Sequence, residues 1–115
     1  MQYLLLIYDN EKARWDSAPE TRDKSYEAYK TVVGELVQKQ QYLGGNPLQP
    51  TSTASSVRVR EGKMQVTDGP FAETREQLGG YFLIEATDMA EARAIAARLP
   101  AAANGTIEVR PILGK

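Results

Sequence analysis

Two segments that are apolar on both faces constrain this chain more than any other feature. Gln2–Tyr8 reads as a strand with Tyr3, Leu5 and Ile7 on one side and Leu4, Leu6 and Tyr8 on the other. Gly80–Ala86 repeats the pattern, with Tyr81 and Leu83 opposed to Phe82 and Ile84. Neighbouring strand side chains point to opposite faces, so strands of this kind need cover from both sides. The rest of the sequence offers helices for one side only.

The first helix is expected to start at Ser17-Ala-Pro-Glu20, with Ser17 as N-cap and Glu20 in the capping-box position. It should run to about Gln41, burying a stripe of Tyr26, Tyr29, Val33, Leu36 and Val37. Gly44-Gly45-Asn46-Pro47 should stop it. A hairpin follows, with 57–60 and 64–66 alternating around a Glu61-Gly62 turn. Asp88 caps a second helix, Met89–Leu99, which buries Ala92, Ile95, Ala96 and Leu99 and is halted by Pro100. The alanines at 101–103 form the helix exit, and Thr106–Ile112 is the closing strand.

The order is read as β-α-β-β-α-β, one strand more than the segments outside the hairpin supply. That is a split βαβ, ferredoxin-like α+β fold, an antiparallel sheet with both helices on one face. The second sheet face must be buried by something. A second copy of the chain, sheet against sheet, is the simplest cover, giving a homodimer closed as an α+β barrel. The alternative is that the hairpin folds over that face.

Composition removes several function classes. At 115 residues the chain is a single domain, able to bury roughly 65% of its unfolded surface. The 14 basic and 15 acidic residues are interspersed, which argues against nucleic acid or a membrane surface held by bulk charge. The apolar run at the start is too short to span a bilayer and lacks signal-peptide flanks, so a cytoplasmic location is expected. Without cysteine, disulfides and thiolate metal sites are excluded. Without histidine, imidazole bases, Ser-His-Asp machinery and the usual zinc sites go as well. No metal or cofactor is expected. Acid–base chemistry would fall to Asp, Glu, Tyr or Lys.

The richest local stretch is Thr67-Asp-Gly-Pro-Phe-Ala-Glu-Thr74, continuing through Glu76-Gln-Leu-Gly-Gly-Tyr81. A turn needs little more than Asp-Gly or Gly-Pro. The additional aromatic, carboxylates and arginine suggest a site. Asp68 is the leading catalytic candidate: it ends a strand, precedes a bend and neighbours Phe71, whose ring would lower the local dielectric. An Asx-turn holding the bend is the structural alternative. Tyr8, Tyr29, Gly45, Phe71, Glu73 and Tyr81 are the accompanying ligand-binding candidates. Tyr8 closes the first strand and Tyr29 lies on the helix stripe, where its hydroxyl needs a partner. Glu73 and Glu76 would share a face of a helical turn, though Arg75 between them favours a solvated ion-pair surface.

These residues resemble the YCII-related family, in particular its branch carrying the Asp-Gly-Pro-Phe motif. The resemblance covers nearly the whole chain. It takes in the opening Tyr3–Tyr8 strand, Leu43-Gly-Gly45 with Pro47-Leu48, Val57-Arg-Val-Arg60, and 67–83. It implies a dimeric α+β barrel, a regulatory or stress setting, and a link to alternative sigma factors as partners. The family's other branch carries a His and an Asp on the first helix, proposed as a catalytic dyad. Here Tyr29 and Gln38 stand near those places, so that mechanism does not transfer. Three functions remain in view. One is a regulatory domain with a small-molecule pocket near Asp68. Another is a small lyase- or isomerase-type enzyme using Asp68 as general acid or base. The third is a protein-interaction module that modulates a partner such as a sigma factor.

Overall fold

The computed structural model describes the full chain, residues 1–115. Its strands are β1 (Gln2–Asp9), β2 (Tyr42–Pro47), β3 (Ser55–Arg60), β4 (Lys63–Asp68), β5 (Gln77–Glu85) and β6 (Thr106–Pro111). The helices are α1 (Glu11–Asp16), α2 (Pro19–Gln38), α3 (Met89–Ala97) and α4 (Ala101–Asn104). Four strands form one antiparallel sheet in the order β2-β5-β1-β6, and β3 and β4 form a separate ribbon. With the ribbon left out, this is the ferredoxin-like arrangement.

The register shows why the two central strands are apolar throughout. Leu5 pairs with Phe82 and Val109, and Tyr3 with Ile84. These residues face α2 and α3, and the core gathers Tyr3, Leu5, Ile7, Phe82 and Ile84 with Leu36, Ala92 and Ile95. Leu4, paired with Leu83, and Leu6, paired with Tyr81, lie on the opposite face, where they are half-buried. Both long helices pack on the first face only.

Several expectations need correction. The segment 44–47, expected to stop the helix, belongs to β2, which supplies the missing second strand of the β-α-β-β-α-β order, and the helix ends before it. Ser17 caps no N-terminus: an unexpected short helix, α1, precedes it, and the Ser17 hydroxyl donates to the Arg14 carbonyl. The side chain that does cap is Asn10, which accepts from the Ala13 N–H at 2.9 Å. The long helix begins at Pro19 and ends at Gln38. On it Val32 and Leu36 are buried and Tyr29 and Val33 pack beside them, while Tyr26 and Val37 are exposed. At about 100° per residue, Tyr26 and Val37 fall on the same flank of the helix, about 80° and 100° round from Leu36 and outside the buried stripe. The second helix is capped by Asp88 as expected.

The ribbon does not fold over the open sheet face. Every residue of β4 is exposed, and β3 retains only Ser56 as half-buried. The radius of gyration is 15.9 Å, against about 13 Å for a compact chain of this length. The turn has both Glu61 and Gly62 at positive φ, 52° and 75°, as a type I′ hairpin requires.

Candidate functional site

The residues singled out in the sequence divide between the two sides of the sheet. Asp68 pairs with Ser55 at the root of the ribbon and is exposed. The bend after it is held by backbone: the Gly69 N–H donates to the Ala54 carbonyl at 2.7 Å, and the Ser56 hydroxyl donates to the Gly69 carbonyl at 2.8 Å. Phe71 is 79% exposed and Glu73 is exposed too, so neither forms a wall around Asp68. Glu76 accepts from the Thr106 hydroxyl at 2.9 Å. Tyr8 and Tyr81 lie on the open face, where the Tyr81 hydroxyl takes a hydrogen bond from Asn46 Nδ2. Tyr29 lies on the helix side, edge-on to Phe82 at 6.2 Å. Gly45 is explained by packing, since a Cβ there would press into the Phe82 ring and the Tyr81 carbonyl.

What the fold does assemble is a polar corner where β1 ends. Asp9 is the last residue of β1, and the chain turns at once into α1 under the Asn10 cap. That short helix returns Arg14 over the strand end, where its Nε lies 2.8 Å from Asp9 Oδ2. Both side chains are withdrawn from solvent, at 16% exposure for Asp9 and 34% for Arg14. The pair lies against Gly79, where a Cβ would stand 2.9 Å from Arg14 Nη2. The β1–β5 register shifts beside this position, so the bulge and the glycine together make the space.

The other carboxylate oxygen, Asp9 Oδ1, is buried and receives no hydrogen bond from the protein. Buried polar atoms are nearly always paired, so this one stands out. Neighbouring groups are committed elsewhere. Gln77 Oε1 accepts from the Glu11 N–H, and Glu11 Oε1 accepts from the Thr51 N–H and hydroxyl. These bonds tie α1 to β5 and to the segment leading into the ribbon. The sequence signal for the corner was faint: an acid directly after a strand, then a helix-capping asparagine and an arginine one turn later.

Tyr29 belongs electrostatically to the same end of the molecule. Burial raises its hydroxyl pKa above the ordinary value of 10.0, and the Asp9 charge adds to this. The Ala101 N–H, which donates to the phenol oxygen at 3.3 Å, and Arg14 work in the other direction. A folded-state pKa above the unfolded one means the contribution is complete below pH 10 and is lost as pH rises through the raised value. Tyr29→Phe is therefore expected to lose about 1 kcal/mol near pH 8 with the hydrogen bond to Ala101. It should also show a shallower fall in stability above pH 10 than wild type. Urea unfolding from pH 8 to 11 checks this, and parallel curves would refute it.

Two further clefts lie away from this corner, near the end of α2. One, of about 160 Å³, is lined by Glu35, Leu36, Gln41, Glu91 and Arg98 among others. The other, of about 500 Å³, opens beside Met1, Gln40 and Glu85. Their polar groups bind one another, as in the Arg98–Glu35 pair and the Gln41–Glu91 hydrogen bond. They read as joints between elements.

Fold and corner together define a ferredoxin-like α+β protein with a partly buried acid–base pair where its first strand ends. Residues 1–114 match the YCII-related domain, and the chain belongs to that family. It is 33% identical over 114 residues to an uncharacterized protein of Rhizobium meliloti (strain 1021), covering 97% of this chain and 92% of that one. Among solved structures it is similar to the 5-chloro-2-hydroxyhydroquinone dehydrochlorinase TftG of Burkholderia phenoliruptrix AC1100, in complex with 2,5-dihydroxybenzoquinone. That likeness has a TM-score of 0.58 at 16% identity over 97% of this chain and 93% of the other, and it concerns the fold. No helix is long and apolar enough to cross a membrane.

Proposed function

We propose that this chain binds a small organic molecule at the Asp9–Arg14 corner and acts on it as an acid–base enzyme, with the Asp9 carboxylate accepting the proton. The observation that carries this reading is the buried, unbonded Oδ1 of Asp9. Arg14 fixes the other oxygen, which orients the free lone pairs of Oδ1 for a donor on a ligand. The guanidinium meets Asp9 through Nε at 2.8 Å. A guanidinium has further N–H groups, suited to an oxygen that gains negative charge as the proton leaves. A hydroxyl near a carbonyl, as in an enol or a hydroxylated quinone, meets both requirements. The dehydrochlorinase of similar fold is in complex with such a molecule, which supports this class. In a chain without histidine, a carboxylate can serve as the base, and Asp9 is one held partly out of solvent.

The test is a thermal-shift titration with 2,5-dihydroxybenzoquinone and related hydroxyquinones. At a hundred times its dissociation constant, a ligand adds about 2.7 kcal/mol to stability. Binding is expected in wild type, about tenfold weaker in Asp9→Asn, and unchanged in Asp68→Asn. Equal binding by wild type and Asp9→Asn, or loss in Asp68→Asn alone, would return the site to the Asp-Gly-Pro-Phe loop.

We also propose that two copies pair through the open sheet face, where Leu4, Leu6 and Leu83 have no helix over them. An apolar sheet face without cover is the reason for this pairing.

A further inference from the structure

The β3–β4 ribbon is two-sided in a way that a single chain leaves unused. Val57 stands opposite Val66 and Val59 opposite Met64, putting four apolar side chains on one face. Arg58 opposite Gln65 and Arg60 opposite Lys63 make the other face polar and basic. The apolar four are exposed at 57% for Val57, 53% for Val66, 62% for Val59 and 71% for Met64. A two-stranded ribbon is marginal in water on its own, and adjacent aliphatic groups in solvent mark an interface. The ribbon's root is nonetheless fixed. The Gly69 bonds to Ala54 and Ser56 close its base, and Thr51 is tied to Glu11 of α1.

We infer that this ribbon is an arm whose apolar face packs on a second copy of the chain. The inference rests on the sheet-face pairing proposed above. The first argument for this occupant is complementarity. Arm and open sheet face are two uncovered apolar surfaces of one chain, and they do not cover each other. A twofold axis brings each arm to the partner's body, so one operation covers both surfaces twice.

The second argument is area. Four strands about 4.8 Å apart, of 8, 6, 9 and 6 residues at about 3.4 Å per residue, give the open face a projected area of roughly 470 Å². Two such faces supply roughly 950 Å² in projection, which puts the sheet pairing alone near the low end of the roughly 1,200–2,000 Å² of accessible surface buried in a stable specific interface. The four exposed apolar side chains on each arm add to that surface.

Sedimentation equilibrium tests this. Val59→Glu combined with Met64→Glu is expected to weaken self-association about a hundredfold, whereas Arg58→Ser with Gln65→Ser on the other face should change it less than about threefold. Both pairs are already solvent-exposed in the single chain, so circular dichroism should show the wild-type fold in each. Unchanged association in the Val59→Glu, Met64→Glu protein, with Leu6→Lys dissociating the pair, would overturn the arm and leave the sheet pairing standing. A wild type still monomeric at roughly 100 µM would overturn both. The chain has no cysteine, so a Met64→Cys variant reports on the arm directly. Its thiol should react with a maleimide about tenfold more slowly in the associated state than in diluted monomer. Equal rates would refute the packing.

Discussion

Gly105→Ala should be the most damaging single-methyl change in this protein, costing about 3 kcal/mol or more. Gly105 closes α4 and opens β6, and its N–H donates to the Ala101 carbonyl at 2.7 Å. A Cβ at this position would overlap the backbone carbonyl oxygen of Tyr8 and stand 3.0 Å from Asp9 Cα. Neither obstacle is a side chain that can rotate away, so β6 would have to withdraw from β1 beside the acid–base corner. The measurement is urea unfolding, and the midpoint should fall without a change in slope. Gly34→Ala is the control. Gly34 is an exposed position inside α2, and a Cβ there would meet nothing within 4 Å, so alanine should stabilise by about 0.5–1 kcal/mol. A Gly105→Ala protein as stable as wild type would show that the two strands are not held this closely.

The second large effect is expected from Arg14→Met. It removes the only cation paired with Asp9 and keeps much of the aliphatic stem. Breaking a fully buried ion pair costs about 3–5 kcal/mol, because a charge is left without compensation. An exposed pair is worth about 0.2–1 kcal/mol. With Asp9 at 16% and Arg14 at 34% exposure, the cost should lie between, at about 2 kcal/mol. The double variant with Asp9→Asn should be more stable than the sum of the single changes predicts, by about 1 kcal/mol. Additive losses in that cycle would mean the two groups act independently. On the functional reading, Arg14→Met also abolishes binding of hydroxyquinones, since both the fixed orientation of Asp9 and the contact for a developing oxyanion disappear.

The fold was legible where periodicity and burial agree. Residues 2–8 and 80–86 announced the paired central strands, and Asp88 announced α3. The helix order then left one sheet face open, as the structure has it. The readings that failed were local ones. Ser17-Ala-Pro-Glu has the letters of a capping box, but Asn10 had already started a short helix upstream, and Ser17 closes that one. Gly44–Pro47 has the letters of a stop, yet it pairs with Asn46 opposite Tyr81 and Pro47 opposite Gly80. A glycine-rich edge strand carries no alternating pattern to be read.

The candidate site residues separate in the fold. The Asp-Gly-Pro-Phe run drew attention because so many polar and aromatic residues crowd a bend, and the resemblance to a known family reinforced it. In the fold those residues close the base of a hairpin and face solvent, and the expected link to a sigma factor rests on the resemblance alone. The partly buried ion pair on which the proposed function rests comes from Asp9 and Arg14 beside Gly79, with Tyr29 near enough to feel their charges.

From its residues alone, then, this chain specifies every strand but β2, its two long helices, its lack of imidazole and thiol chemistry, and a sheet apolar on both sides. These follow from side-chain type and from periods of two and 3.6 residues, which act locally. Which carboxylate loses its water, and which oxygen is left without a donor, was decided only when β5 and β6 closed against the end of β1. Desolvation depends on every group within a few ångströms, and here those groups come from positions 14, 79 and 105, far apart along the chain.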